Sequence, residues 1–328
     1  VQTIVVDDAS TDNSRDIIAR YGDRVVPVLL ARNAGQGAAF NAGFRASAGN
    51  VVIFLDADDW LSPCAAERVV AAMLPDVAQV QFRLHLVGAD GRRIDLIPAP
   101  EIRFDTGNVV PLLLSRGRYE STVTSGNAFA RSVLDAILPI PEEKFRISAD
   151  GYLVTLAPLY GRLVSIDAPL GAYVMHGSNL WAGSAGHAGL SAKFRRELSH
   201  DECRYEALRS KAGELGMPVD SHLGLADPRH LTSRLGSLLT DPRNHPYPGD
   251  ARASLGLRGA WASRDANLIH VRRALQVTWF LLVGLLPGAA ASKMLQWRID
   301  PGSRPQRLRQ TLATVRRWMT RSRIAGSA

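Results

Sequence analysis

The sequence predicts an α/β fold, with a mostly parallel central sheet flanked by helices and a helical C-terminal extension. Three observations predict it. Short apolar, β-branched runs at Thr3–Val6, Val25–Leu30 and Val51–Leu55 alternate with helix-forming stretches, and continuous apolar strands joined by helices make a parallel sheet covered on both faces. Each of these runs ends on a polar or acidic turn, such as Asp7-Asp8 and Asp56–Asp59. Beyond about residue 190 the texture changes to charged, helical sequence.

The elements follow in order. Ser10-Thr11-Asp12 offers helix-capping chemistry ahead of a helix over Ser14–Tyr21. Asn33–Gly37 is a Gly-rich turn opening an Ala-rich helix, about Ala38–Ala48, and Ser62-Pro63 starts another over Cys64–Met73. Residues 80–120 read as β-rich, with Val80–Val87 and Arg93–Ile97 joined by the turn at Ala89–Arg92. Helical segments are expected near Ser132–Leu138 and Tyr152–Leu159, and a last strand over Val164–Tyr173. Leu190–Leu215 and the segment from Asp227-Pro228 to Leu239 then read as helices, with a Pro-rich break at Pro242–Gly249.

With 46% hydrophobic and 21% charged residues over 328 positions, the chain is a folded one, large enough for one big domain plus an appendage. Cys64 and Cys203 are its only cysteines and have no ligand spacing, which excludes a disulfide framework and a zinc site. They predict a reducing compartment. The opening run Thr3–Val6 lacks the charged lead-in of a secretory signal, and Val1 reads as a truncation point. The net charge is +8, and nine Lys or Arg from Lys293 onward against Asp300 alone account for all of it. Residues 1–292 are therefore neutral as a set, which argues against a nucleic-acid platform.

Ligands of open parallel sheets bind beyond the carboxyl ends of the strands, so Asp7-Asp8 and Asp56–Asp59 can face one crevice. Carboxylates one residue apart on a turn, as in Asp56-Ala57-Asp58-Asp59, can hold a hard divalent ion together with phosphate oxygens. Asp59 or Ser62 could equally cap the next helix, and Ser10 or Asp12 the first one. Arg32-Asn33-Ala34-Gly35-Gln36-Gly37 is either an ordinary strand-to-helix turn or a set of backbone N–H groups aimed at phosphate. Asp150, opening an apolar helix, is a cap or a general base. His176, in a Gly-Ser-Asn turn, is a metal or phosphate contact or an isolated histidine.

Together these blocks are more specific than any one of them. Val5–Asp12, Arg32–Gly35 with Asn41-Ala42-Gly43, Phe54–Asp59, Ser125-Gly126-Asn127, Ala149–Tyr152 and Tyr173–Asn179 resemble the family 2 glycosyltransferases of the GT-A fold. The resemblance covers residues 1–180 and implies a metal-assisted, inverting transfer of a sugar from a nucleotide diphosphate donor to a hydroxyl acceptor. It implies a donor nucleotide site at Asp7, Asp8, Ser10, Arg32, Asn33, Gly35 and Asp56, with Asp8 toward the base and Asp56 toward the ribose. Asp58, with His176 nearby, would hold Mg2+ or Mn2+; Asp59, Ser125, Gly126 and Asn127 would meet the sugar; Asp150 would be the catalytic base. Two departures stand out: the family's opening strand and helix, about 30 residues, are missing, and Ala149 replaces the acid that usually precedes the base.

The expected organisation is a glycosyltransferase domain over 1–190 and a helical extension over 191–328. In the extension, the apolar segment 274–292 approaches the length of a membrane span but is broken by Pro287, which favours a helix pair. Along 304–324, Leu308, Leu312, Val315 and Met319 form one stripe among arginines, the pattern of a helix lying on anionic lipid. The expected partners are a UDP-sugar, a glycan or lipid-linked acceptor in cell-surface polysaccharide synthesis, and the cytoplasmic face of the membrane. Rival readings are an inactive, truncated glycosyltransferase, a membrane-surface module, and an Asp-dependent phosphatase. The last would need its acidic motif on the first strand and a lysine downstream, whereas the first lysine in the chain is Lys144.

Overall fold

The computed structural model describes residues 1–176, 186–264, 268 and 270–314. Strand β1 (Ile4–Asp7), helix α1 (Ser14–Ala19), strand β2 (Val26–Leu29), helix α2 (Gln36–Ala46) and strand β3 (Val51–Ile53) reproduce the expected β-α alternation. Then come β4 (Trp60–Leu61), α3 (Ala65–Ala72), β5 (Val77–Gly88), β6 (Arg93–Ile97), α4 (Val110–Arg116), β7 (Asn127–Ala130), α5 (Arg131–Ile137), α6 (Asp150–Leu156) and β8 (Arg162–Met175). The α/β class holds, and a helical region follows.

The pairing corrects one expectation. β1 and β2 form a parallel pair of their own, and a six-stranded sheet runs β3-β7-β5-β8-β4 with β6 on β5. In that sheet only β5 and β8 are parallel; β3–β7, β5–β7, β5–β6 and β4–β8 are antiparallel. The β6 strand turns back on β5 through the tight turn at 88–92, whereas β7 and β4 meet their antiparallel partners from far along the chain. Among the described strands β1 pairs only with β2 and β3 only with β7, which leaves each with an open edge. Helix α2 spans both sheets: Phe40 stacks on Phe54 at the end of β3 with centroids 4.3 Å apart. Gly43 of the same helix faces Val6 of β1 so closely that an added Cβ would meet its Cγ2 at 3.1 Å.

The C-terminal region comprises α7 (Gly186–Glu214), α8 (Pro228–Thr240), α9 (Arg252–Arg264), α10 (His270–Leu285) and α11 (Gly288–Ile299). Asp227 caps α8, its carboxylate accepting from the Arg229 N–H, with Pro228 at the first helical position. The apolar segment 274–292 is a helix pair interrupted at Pro287, as its sequence predicts. Trp279, Phe280, Val283, Ala291 and Leu295 bury themselves against α7, α8 and α9. Contact is close because a Cβ on Gly256 of α9 would lie 2.6 Å from the Gly284 Cα of α10. No described helix is long and apolar enough to cross a membrane.

The boundary expected at residue 190 falls inside α7. That helix places Phe194 in the C-terminal core, whereas Tyr205 and Leu208 join the core of the N-terminal half. One continuous helix thus serves both, because its apolar positions switch sides along its length. The stretch 306–314 is helical as predicted, and the remainder of the 304–324 segment lies outside the described residues. Cys64 and Cys203 are both free.

Candidate active site

Five segments converge at one sheet edge: the end of β3, the Gln36 end of α2, the turn at Thr124–Gly126, the start of α6 and the end of β8. Asp56 lies just beyond β3. Its backbone N–H donates to Ser125 Oγ at 3.1 Å, and its Oδ1 accepts from Gln36 Nε2 at 2.9 Å. Gln36 turns its other end to Asp150's segment, where its Oε1 accepts from the Ala149 N–H at 2.8 Å. One amide therefore sets the spacing between the two carboxylate-bearing segments. The Thr124 hydroxyl stands beside both carboxyls and opposes the rise of each.

Burial, then the charge of Asp150, pushes the Asp56 carboxyl up to about 6, against the opposing hydrogen bonds of Gln36 and Thr124. Asp150 is also raised, chiefly by burial, while the Gly151 N–H and the Arg204 guanidinium oppose the shift. Asp150 is the first residue of α6, and Ser148, two residues before it, has φ 56°, a conformation costly for a side-chain-bearing residue. Two neighbouring carboxyls, both raised above the usual carboxylate range, are suited to accepting and passing on a proton.

Asp58 and His176 meet as well: His176 Nε2 lies 2.8 Å from Asp58 Oδ2, and both side chains are partly exposed. Their encounter is built by the sheet. β4 pairs Trp60 with Ala172 and Leu61 with Gly171, and the Asp59 Oδ1 accepts from the Val174 N–H at 2.9 Å. The end of β8 is thereby drawn to the Asp56–Asp59 turn. One carboxylate oxygen and one imidazole nitrogen side by side suit Mg2+ or Mn2+, which take one or two protein ligands and fill the rest with water and phosphate. Among the described residues no group of three or more His, Cys, Asp or Glu forms a complete metal cage.

Other sequence-predicted site residues turn inward. Asp59 also accepts from Ser125 Oγ at 2.6 Å, so both its oxygens have protein partners, and burial raises its carboxyl. Ser125 and Asn127 are buried, with Asn127 bonded to the Val123 carbonyl and to Gln79. At Gly126 a Cβ would lie 2.6 Å from Thr122. These four positions are packed into the walls of the site. Neither Asp59 nor Ser62 caps the next helix, since α3 has no side-chain cap.

The Asn33–Gly37 turn is also fully employed. Asp8 accepts from the Ala34 and Gly35 N–H groups, both at 2.7 Å, while Gln36 N donates to the Arg146 carbonyl and Gly37 N to that of Phe145. The N–H groups of Ala34, Gly35, Gln36 and Gly37 therefore have partners within the protein, as in an ordinary strand-to-helix turn. Gly35 sits at φ 88°, and a Cβ there would come within 2.4 Å of the Arg146 oxygen. Asn33 adds a bond to the Asp8 carbonyl at 3.1 Å and a contact with Arg146. Asp7 is buried and held below the usual carboxylate range, first by Ser10 and, against burial, by Arg15. Arg32 and Ser10 are exposed.

A second layer comes from α7. His200 Nε2 donates to the Ser148 carbonyl at 3.0 Å, which assigns the proton to that nitrogen. Burial, then Arg204, pushes its pKa down to about 4, so it is neutral at pH 7. Arg204 donates to Thr155 Oγ1 at 2.9 Å and to the Gly151 carbonyl at 3.3 Å. Asp201 anchors it, a carboxylate kept well below its usual range by Arg118, His230 and Arg204 despite burial. Sequence reading missed the side chains of Gln36, Thr124, His200 and Arg204 as participants, because the site partners that define their parts lie about 20 to 110 positions away in the chain.

The N-terminal stretch, residues 1–122, matches the model of glycosyl transferase family 2. The match takes in Asp8 and Asp56–Asp59 and stops short of Thr124, Asp150 and His176. An uncharacterized glycosyltransferase of Nostoc sp. is 37% identical over 186 residues, covering 55% of this chain and 57% of the relative. The succinoglycan biosynthesis protein ExoO of Rhizobium meliloti is 29% identical over 182 residues, 54% of this chain and 52% of its own. The chain thus spans about half the length of the curated relatives it matches. Among solved structures, S. aureus TarS residues 1–349 in complex with UDP aligns at 14% identity and TM-score 0.43, covering 90% of this chain and 81% of that one.

Proposed function

We propose that the chain transfers a sugar from a nucleoside diphosphate donor, a UDP-sugar, to a hydroxyl acceptor with inversion. The single observation that carries this reading is the meeting of Asp56, Asp58, Asp150 and His176 at one edge of a family 2 domain. In this reading the Asp150 carboxylate takes the proton of the acceptor hydroxyl as its oxygen bonds to the anomeric carbon. The bond from that carbon to the diphosphate oxygen breaks in the same step, and the electron pair leaves with the nucleoside diphosphate.

Each residue's part follows from its surroundings. Burial makes Asp150 a stronger base than a solvated aspartate, a rise that the Gly151 N–H and the Arg204 guanidinium oppose. Gln36 and Thr124 hold Asp56 beside it, in place to accept a ribose hydroxyl. Asp58 and His176 would hold Mg2+ or Mn2+, which when bound supplies positive charge to the departing diphosphate. ExoO, the similar protein named for succinoglycan biosynthesis, supports a place in cell-surface polysaccharide synthesis. The acceptor is then a glycan or a lipid-linked glycan, and the arginine-rich stretch 304–324 would rest on the anionic cytoplasmic face of the membrane.

The test is a panel of nucleotide-sugars scored by release of nucleoside diphosphate, with Mn2+ and with EDTA. Turnover on a UDP-sugar that EDTA abolishes, and that Asp150→Asn removes, is expected; undiminished turnover in EDTA would overturn the roles of Asp58 and His176. A second reading rests on the open edges of β1 and β3, two strands that α2 packs beside. In it, full activity requires an additional strand and helix ahead of Val1. Equal activity from this chain and from one extended at its N-terminus would sink that reading.

A further inference from the structure

Where the N-terminal half meets the C-terminal helices lies a cavity of about 170 Å³, which shares only Arg118, a partner of Asp201, with the site described above. Five arginines line it: Arg116, Arg118, Arg229, Arg272 and Arg298. The three carboxylates in its wall are already engaged. Glu120 pairs with Arg229, Asp227 with Arg118 at 2.7 Å and with the α8 cap, and Asp105 with the Glu120 N–H at 2.7 Å. Arg272 reaches outside the cavity lining to Glu101 at 2.6 Å.

Arg298 has no such partner among the described residues. It sits on α11 with its guanidinium over the Trp279 ring, 4.4 Å from the centroid. Burial, then the charges of Arg272, Arg229 and Arg304, pulls its pKa down to about 10. A guanidinium partly withdrawn from water among like charges is electrostatically unfavourable, and a bound anion reverses the sign of that balance. The guanidinium fork matches two oxygens of a phosphate in plane, a geometry an isolated halide does not use. The volume sets the size of the guest. At about 170 Å³ the cavity is below the 300 Å³ or so of pockets that enclose whole small molecules, so it takes one group and leaves the rest of the ligand outside.

We propose that this cavity is a phosphate site, in which Arg298, flanked by Arg272 and Arg229, binds the phosphate group of a phosphate-bearing ligand. That group belongs either to a soluble phosphate ester or to a lipid headgroup. The site is independent of the donor reading above.

The experiment uses the full chain in EDTA, so that no metal recruits anions to Asp58. Inorganic phosphate and glycerol phosphate are titrated by calorimetry into the wild type, Arg298→Met and Arg298→Lys. Loss of the bidentate fork predicts an affinity at least about tenfold lower in Arg298→Met. Without phosphate, the thermal midpoint of Arg298→Met should equal or exceed that of the wild type, since a like charge is removed and the apolar stem stays on Trp279. Should Arg298→Met fail to fold, Arg298→Lys keeps the charge, and phosphate binding weaker than that of the wild type is the expected result there. Equal affinity in the wild type and the folded variants, or no binding by the wild type up to about 10 mM, overturns the proposal. Phosphatidylglycerol vesicles separate the sources. A vesicle affinity that drops with Arg298→Met identifies a lipid headgroup, and one that is unchanged while soluble phosphate binding is lost identifies a soluble ester.

Discussion

Replacing Asp56 by Asn should make the protein more stable at neutral pH while impairing its proposed chemistry. Asn keeps an oxygen in the place where Asp56 Oδ1 accepts from Gln36, and it leaves the backbone bond to Ser125 untouched. What it removes is a charge that burial and Asp150 oppose. The Asp56 carboxyl moves from 3.8 to about 6 on folding, and each pK unit is worth about 1.36 kcal/mol. Ionised Asp56 therefore costs the folded state about 3 kcal/mol. The folded state keeps its proton to higher pH than the unfolded chain does, so this contribution to stability falls as pH rises from about 4 to about 6. The gain from Asp56→Asn should be near zero below about pH 3, and approach about 3 kcal/mol above about pH 7. Urea unfolding of both proteins across pH 4.5–8 measures it. A variant less stable than the wild type at pH 7.5, or a difference that does not change with pH, would refute the reasoning.

Three further outcomes follow from the same geometry. Gln36→Leu strands the Ala149 N–H and removes a donor from Asp56; urea unfolding should show a loss of about 1–3 kcal/mol, and turnover should fall. Gly35→Ala puts a Cβ within 2.4 Å of the Arg146 oxygen at φ 88°, and thermal melts should register a loss of about 2 kcal/mol or more. Arg204→Met removes the positive charge that opposes the rise of Asp150. The acidic limb of the kcat/KM profile should then shift to higher pH, and a profile that stays in place would show Arg204 to be structural alone.

Much of the fold could be read from the sequence. The strands at Ile4–Asp7, Val26–Leu29 and Val51–Ile53 and the helices between them arise from local apolar runs and turn residues, and they fall within a few positions of where the pattern put them. The break at Pro287 is equally local, since proline cannot donate to a helix and clashes with the turn before it. Register and strand direction were not legible. The antiparallel β3–β7 and β5–β7 pairings join residues about 50 to 80 positions apart, and nothing in either segment's composition encodes its partner.

The Asp56–Asp59 turn shows the same division within a single motif. Sequence alone determined that four acidic or small residues close an apolar strand, and residue type alone qualified Asp58, Asp150 and His176 as candidates. Tertiary structure decided how the carboxylates divide their tasks. Asp58 is left partly exposed against His176, Asp59 is consumed in tying down β8, and Asp56 is buried beside Asp150. Asp8 is likewise taken up by the backbone of the Ala34–Gly35 turn. The reason is physical: a carboxylate's chemistry depends on its water, its hydrogen-bond donors and its neighbouring charges. Those are supplied by Gln36, Thr124, Ser125 and Arg204, which come from distant parts of the chain and meet only when it folds.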